Sequence, residues 1–361
     1  MSLSFRYSFG AMVVAVALTF GDICAQGTGQ GMTADELYVE SVNQYNAGEY
    51  ARAIAGFVKF SADYGESEQG KEAVALIRYP LAMSYLHLQK FNEAMPAIQA
   101  ALGATPPPTM EQREDLLFYL GVCQMQADEV GAARETFSTY VADFPKGRQV
   151  DEAVLLAGTT LLLEGKNAEA AAHFGRFKDA LSVVNRGRAS VLQLYALLEE
   201  GDSDGGLELV VEEFPRMNQM LQIATFQTLA LQLGSQFLEG EEYRKAIQCL
   251  QRVWDQERLI GYQEDRLEDL RDGLVAAEAH PTSDPYRKFQ LKQMISKVER
   301  ELANFGKIED FDAALRLRLA TAFQAMKRYR EAALIMEEML EEMPPSPVVE
   351  SATTNLIQSW S

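Results

Sequence analysis

Apolar side chains recur at three- and four-residue intervals through most of this chain, the spacing that lines one face of an α-helix. Short polar breaks interrupt the pattern at Gly48-Glu49-Tyr50, Lys90-Phe91, Glu129-Val130, Gly165-Lys166, Glu242-Tyr243 and Arg328-Tyr329, most with a ring or an apolar residue just behind them. Each stretch around a break is predicted as helix, tight turn, helix.

The units repeat. A small residue is followed twelve positions later by alanine six times, at Ser41 and Ala53, Ala82 and Ala94, Gly121 and Ala133, Gly158 and Ala170, Gly234 and Ala246, and Ala320 and Ala332. Four residues beyond each alanine stands Phe57, Ile98, Phe137, Phe174, Leu250 or Met336, and proline closes three of the units at Pro106, Pro145 and Pro344. A small side chain facing an alanine lets two antiparallel helices approach closely, and the large residue one turn later fills the gap toward the next unit. Proline then stops the second helix, because it has no amide proton and clashes with the preceding turn.

Small-x11-Ala-x3-aromatic-x7-Pro resembles the tetratricopeptide repeat. The resemblance implies an all-α fold, a right-handed superhelical solenoid of antiparallel helix pairs, here with one inserted helical hairpin. The pattern departs from the family at Gly65 and Ser182, where proline is replaced, and through Arg258, where no stop is seen; a degenerate unit from Arg188 to Pro215 has Gly206 in place of the alanine. The expected organisation is a secretory signal over 1–25, a linker over 26–32, repeats over 33–255, the hairpin over 256–306, and a last repeat with an incomplete successor over 307–361.

The hairpin is read from Leu259, Leu267, Leu270 and Leu274 on one arm and Leu291, Ile295, Val298, Leu302 and Phe305 on the other, with His280-Pro281-Thr282-Ser283-Asp284-Pro285 as the turn. One arm carries an excess of acids and the other an excess of bases, so their flanks attract in a coiled-coil-like pair. The expectation is a projecting hairpin; the competing reading is an overgrown repeat packed into the array. Val348 to Ser361 is read as a first helix without its partner, with Leu356 and Ile357 at packing positions, and Leu356 and Trp360 are candidates for docking on another copy or on a partner.

The net charge of −19 disfavours nucleic acid and anionic lipid. Arg6, the apolar run from Phe9 to Phe20 and the small residues ending at Ala25 form an export signal, placing the mature chain in the periplasm or outer cell envelope with no transmembrane segment. Cys24 does not stand in a lipobox, and Cys123 and Cys249 fall on different repeats, as buried small apolar residues rather than a pair.

Chemistry for catalysis is not indicated. His87, His173 and His280 are dispersed, the glycines form no phosphate loop, and the acid pairs Glu337-Glu338 and Glu341-Glu342 lie on helix exteriors, so no catalytic, cofactor or metal residue is assigned. The resemblance implies a groove lined by first helices, and in its register the lining positions are Tyr38, Val42, Tyr45, Tyr79, Met83, Leu86, Phe118, Val122 and Met125. The family's chaperone-binding members clamp a peptide carboxylate with Lys, Arg and Asn; these positions carry none of them. An apolar, methionine-bearing stripe suits an apolar peptide or an amphipathic helix. It equally suits packing between neighbouring repeats, and both readings stand on the sequence.

Two functions follow. One is a scaffold that holds other proteins, similar to exported bacterial repeat proteins that assist envelope assembly. The other is a structural array that self-associates within a larger assembly.

Overall fold

The computed structural model describes residues 32–279 and 285–360, and every regular element in them is helical. The expected export signal, Cys24 and His280 lie outside the described residues. The helices fall into two compact units, and the chain passes from one to the other between Glu164 and Gly165. The first contains α1 (Ala34–Asn46), α2 (Tyr50–Tyr64), α3 (Glu68–His87), α4 (Phe91–Leu102), α5 (Met110–Gln126), α6 (Val130–Asp143) and α7 (Val150–Leu163). The second contains α8 (Asn167–Phe177), α9 (Val183–Glu200), α10 (Ser203–Glu213), α11 (Ile223–Glu239), α12 (Tyr243–Leu250), α13 (Gln256–Ala279), α14 (Pro285–Phe305), α15 (Phe311–Ala325), α16 (Tyr329–Glu342) and α17 (Pro347–Trp360).

The turns are built alike. Each break predicted from the sequence holds one residue in the left-handed region: Gly48, Gln89, Asp128, Gly165, Glu241 and Lys327, with Gly201 doing the same in the degenerate unit. The next amide then reaches back five residues to the first helix, as in Glu49 N to Gln44 O (2.8 Å), Glu129 N to Gln124 O (2.8 Å) and Arg328 N to Phe323 O (2.8 Å). This closure uses carbonyls that a helix end leaves without partners. It turns the chain tightly enough to lay the second helix against the first.

Packing follows the predicted register. Ala53, Ala94, Ala133, Ala170, Ala246 and Ala332 are fully buried, as are Phe57, Ile98, Phe137, Phe174, Leu250 and Met336. In the first unit α1 packs on α2, α3 on α4 and α5 on α6, with α7 against α6; in the second, α11 packs on α12, α15 on α16 and α17 on α16. The contacts are tight. A Cβ built on Gly121 would stand 2.7 Å from the Phe137 ring, and one on Gly234 would stand 2.3 Å from Leu250 Cδ2.

Two expectations are corrected, for α12 and for α17. The second helix of the sixth repeat does not run on through Trp254 to Arg258: α12 stops at Leu250, because Gln227 Oε1 accepts the Trp254 amide (2.8 Å) and Asp255 caps α13 by accepting the Arg258 amide (2.7 Å). The arms α13 and α14 pair antiparallel, with Arg271–Glu299 (2.7 Å) and Lys292–Glu278 (3.0 Å) bridging them, and the base of the pair is seated on the second unit. On α17 the inward positions are Val349 and Ala352, while Ile357 is two-thirds exposed, because the helix turns that side away from α16. The side chain of Trp360 lies outside the described residues.

Candidate partner-binding surface

The first helices of the first unit are α1, α3, α5 and α7. Of the nine residues predicted to line a groove on them, Val42, Tyr45, Tyr79, Met83, Leu86, Phe118 and Val122 are buried, and Tyr38 and Met125 are half-buried. They join one hydrophobic core with the second-helix residues Ala53, Phe57, Ile98 and Phe137. Tyr38 meets Phe60 edge-on (5.9 Å), Tyr45 meets Tyr50 (5.9 Å), and Phe118 meets Phe137 and Tyr140 (6.0 and 5.8 Å). The stripe is therefore mostly inter-repeat packing, and seven of its nine side chains have too little free surface to be a partner's first contact.

What the first helices leave in water lies one step round the same helices. Val39 is 53% exposed, Leu76 42% and Leu163 61%, next to the half-buried Tyr38, Leu156 and Leu162. Helical period places Val39 beside Tyr38 and Val42, and Leu76 one turn before Tyr79 and Pro80. Large exposed apolar side chains scattered singly need no explanation, but one on each of three of the unit's four first helices, α1, α3 and α7, gives this face something to bury.

A polar cluster braces this face. Asp115 on α5 is 1% exposed; its Oδ2 accepts from the Tyr79 hydroxyl on α3 (2.8 Å) and its Oδ1 from Arg148 Nη2 in the turn before α7 (2.9 Å). Glu114 accepts from the Arg148 amide (2.6 Å) and from the Tyr140 hydroxyl (2.9 Å). Burial raises the Asp115 carboxyl above its ordinary range, and the Tyr79 and Arg148 partners pull it part of the way back. Burial likewise holds the Tyr79 hydroxyl protonated, its pKa well above that of a free tyrosine. Both oxygens of Asp115 are taken, so the cluster ties three successive repeats together rather than offering a reactive group. Asp115 carried no warning in the sequence beyond standing on a first helix among apolar neighbours.

The remaining titratable groups are spread out. His87 stacks flat on Tyr50 (4.0 Å between centroids) and burial lowers its pKa; His173 packs against Phe174 and Phe177. Cys123 and Cys249 are buried free thiols, each pushed up to about 12 by burial, and Cys249 Sγ donates to Ala230 O. Among the described residues no three His, Cys, Asp or Glu side chains gather in a metal-binding arrangement, and no helix is long and apolar enough to cross a membrane.

Residues 115–147, spanning α5, its turn and α6, match the tetratricopeptide repeat family model. Among solved structures, the chain is similar to a tetratricopeptide repeat protein from Parabacteroides merdae, at 14% identity, covering 92% of this chain and 100% of that one with a TM-score of 0.39. It is also similar to the C-terminal part of a repeat-containing protein from Cytophaga hutchinsonii, at 13% identity, covering 88% and 99% with a TM-score of 0.40. No curated protein matches the sequence.

Proposed function

We propose that this tetratricopeptide-repeat chain is a non-enzymatic scaffold of the bacterial cell envelope that holds a partner protein against the first-helix face of its first unit. The observation that carries the reading is the row Val39, Leu76 and Leu163: apolar, exposed, and set on helices whose other apolar residues are already used in packing. Burying on a partner what these three half-exposed side chains still show to water yields roughly 1 kcal/mol each, a contribution that the rest of an interface would have to extend. The partner chemistry that fits is an apolar peptide or an amphipathic helix. The export signal read over 1–25 supports the envelope location, and the acidic charge argues against nucleic acid.

Immobilised mature chain should capture a defined set of proteins from an envelope extract, and the triple variant Val39→Ser, Leu76→Ser, Leu163→Ser should lose them with its helical circular dichroism intact. Equal capture by both chains would sink the reading. Exposed Ile357 on α17 favours a second one, a self-associating array. A light-scattering mass of a dimer or larger for the mature chain, reduced to the monomer by Ile357→Ser, would support it.

A further inference from the structure

Three short stretches of the second unit meet where α12 ends: the 3-10 turn Phe214–Gln219 after α10, the turn 251–255, and the start of α13. Gln227 on α11 ties the first two together, its Nε2 donating to Met217 Sδ (2.7 Å) and its Oε1 accepting the Trp254 amide (2.8 Å). The Tyr262 hydroxyl ties in the third by donating to Asn218 O. Arginines and rings gather at this junction. The Arg252 guanidinium lies over Phe214 (5.6 Å to the ring centroid), that of Arg258 lies over Trp254 (3.9 Å), and Trp254 meets Tyr262 edge-on (5.8 Å). Arg216 is exposed on the same turn as Phe214.

These arginines are held in place but not neutralised. Arg216 and Arg252 each donate to a carbonyl one turn back, Glu212 O (3.3 Å) and Gln248 O, at the C-terminal ends of α10 and α12, where the helix dipole favours a cation. Among the described residues none of the three guanidiniums pairs with a carboxylate. The acids nearest in sequence are turned to other work. Glu212 accepts from Lys178 (2.6 Å) and Arg186 (3.1 Å), Glu213 from Arg186 (2.6 Å), and Asp255 from the Arg258 amide (2.7 Å), while exposed Glu257 lies near Asp312 of α15. The chain has carboxylates in surplus, with a net charge of −19, yet its fold sets none on this cluster. A guanidinium stacked on a ring keeps the N–H edge of its plane free, and that edge is the one that pairs with a carboxylate.

We propose that Phe214, Arg216, Arg252, Trp254, Arg258 and Tyr262 form a binding surface for an acidic segment of a partner protein. Asp or Glu side chains of that segment pair with the guanidinium edges, and an apolar side chain between them packs on Phe214 (40% exposed) and on Val211 (41% exposed), one turn before it on α10. A peptide fits better than a bare polyanion. The net charge of the chain opposes any anion at long range, and only a peptide adds apolar burial to offset it. The surface lies in the second unit, away from the first-helix face of the first, and the two proposals stand or fall separately.

Trp254 and Trp360 are the two tryptophans of the chain, so the full chain carrying Trp360→Phe reports on the junction through Trp254 alone. The probe is a short peptide alternating Glu with Leu. It should change the Trp254 emission, bind less tightly as salt is raised, and bind about tenfold or more weakly to the triple variant Arg216→Gln, Arg252→Gln, Arg258→Gln, the loss expected for hydrogen bonds between charged groups. Arg258→Gln alone removes a stacked, exposed side chain and should lose part of that affinity with the urea midpoint unchanged, which keeps the test open if the triple variant is unstable. Lys59→Gln, Lys90→Gln, Lys146→Gln makes the same change in net charge at exposed positions of the first unit and should bind as the natural chain does. The proposal is overturned if the Glu–Leu peptide does not bind, if the lysine variant loses as much affinity as the arginine variant, or if a peptide alternating Gln with Leu binds equally well. It is also overturned if inorganic polyphosphate binds more tightly than the peptide, which would mark a phosphate site. A dimer by light scattering that the arginine variant dissolves would make a second copy the occupant and refute it as well.

Discussion

Gly234 on α11 offers the sharpest test of why small residues recur in this chain. A Cβ there would lie 2.3 Å from Leu250 Cδ2 and 2.6 Å from Leu250 Cγ, and Leu250 is fully buried and has no open space to retreat into. Gly261 on α13 is the counterpart, with nothing within 4 Å of a built Cβ. Alanine in place of glycine inside a helix gains about 0.8–1 kcal/mol from backbone entropy wherever it fits. At Gly261 that gain stands alone. At Gly234 an overpacking cost of about 1–3 kcal/mol opposes it, leaving a net loss of up to about 2 kcal/mol, and leucine there costs more. Urea unfolding followed by the fluorescence of Trp254, which lies in the turn directly after α12, reports on the affected contact. Gly234→Ala should lower the midpoint and Gly261→Ala should not. The clash also predicts coupling: Leu250→Ala in the Gly234→Ala background should cost less than in the natural chain, because the methyl fills part of the cavity. If Gly234→Ala and Gly261→Ala shift the midpoint alike, the close approach of α11 and α12 is not what the glycine provides.

Removing Asp115 by Asp115→Ala strands the Tyr79 hydroxyl and the Arg148 guanidinium and should cost about 2–4 kcal/mol in thermal or urea unfolding. Asp115→Asn separates charge from space: because burial raises the folded pKa of Asp115 above its unfolded value, the natural chain's stability relative to Asp115→Asn should be greatest below the unfolded pKa and fall as pH rises through the folded one, and a difference independent of pH would refute this. Glu241 and Lys327 hold left-handed backbone that glycine adopts freely, so Glu241→Gly and Lys327→Gly should each raise stability by up to about 1 kcal/mol, read as a higher melting temperature. Cys123 and Cys249 should resist a maleimide at pH 8 in the folded chain and react after urea, as peptide mass mapping would show.

The repeat register was legible because it is a matter of volume. A glycine, serine or alanine facing an alanine has one structural use at this spacing, and the residues named from it are the ones the fold buries most completely, Ala53 with Phe57 and Ala133 with Phe137 among them. The turns were legible for a related reason, since a polar break between two apolar periods has only the tight turn to form. The end of α12 was not. Trp254 sits in an apolar pattern that could continue a helix, and what stops it is the side chain of Gln227, on another helix, taking its amide.

The surface was harder to read than the core because periodicity tells which face of a helix is apolar, not how much of that face the next repeat covers. Val39 and Val42 are the same residue type, three apart on α1, yet one is half in water and the other buried. The difference arises from where α3 lies, and nothing on α1 encodes that. The hairpin shows the same limit from the other side: its leucine seam was evident, but its seat on the second unit depends on carbonyls of residues 218–221, which every sequence possesses. What distinguishes those carbonyls is that the connecting segment leaves them to side chains from one stretch of α13, Tyr262, the adjacent Gln263, and Arg266 three residues further on. A polar triplet in the first half of an otherwise leucine-patterned arm is thus the sequence signal that the base of this hairpin is seated on its array.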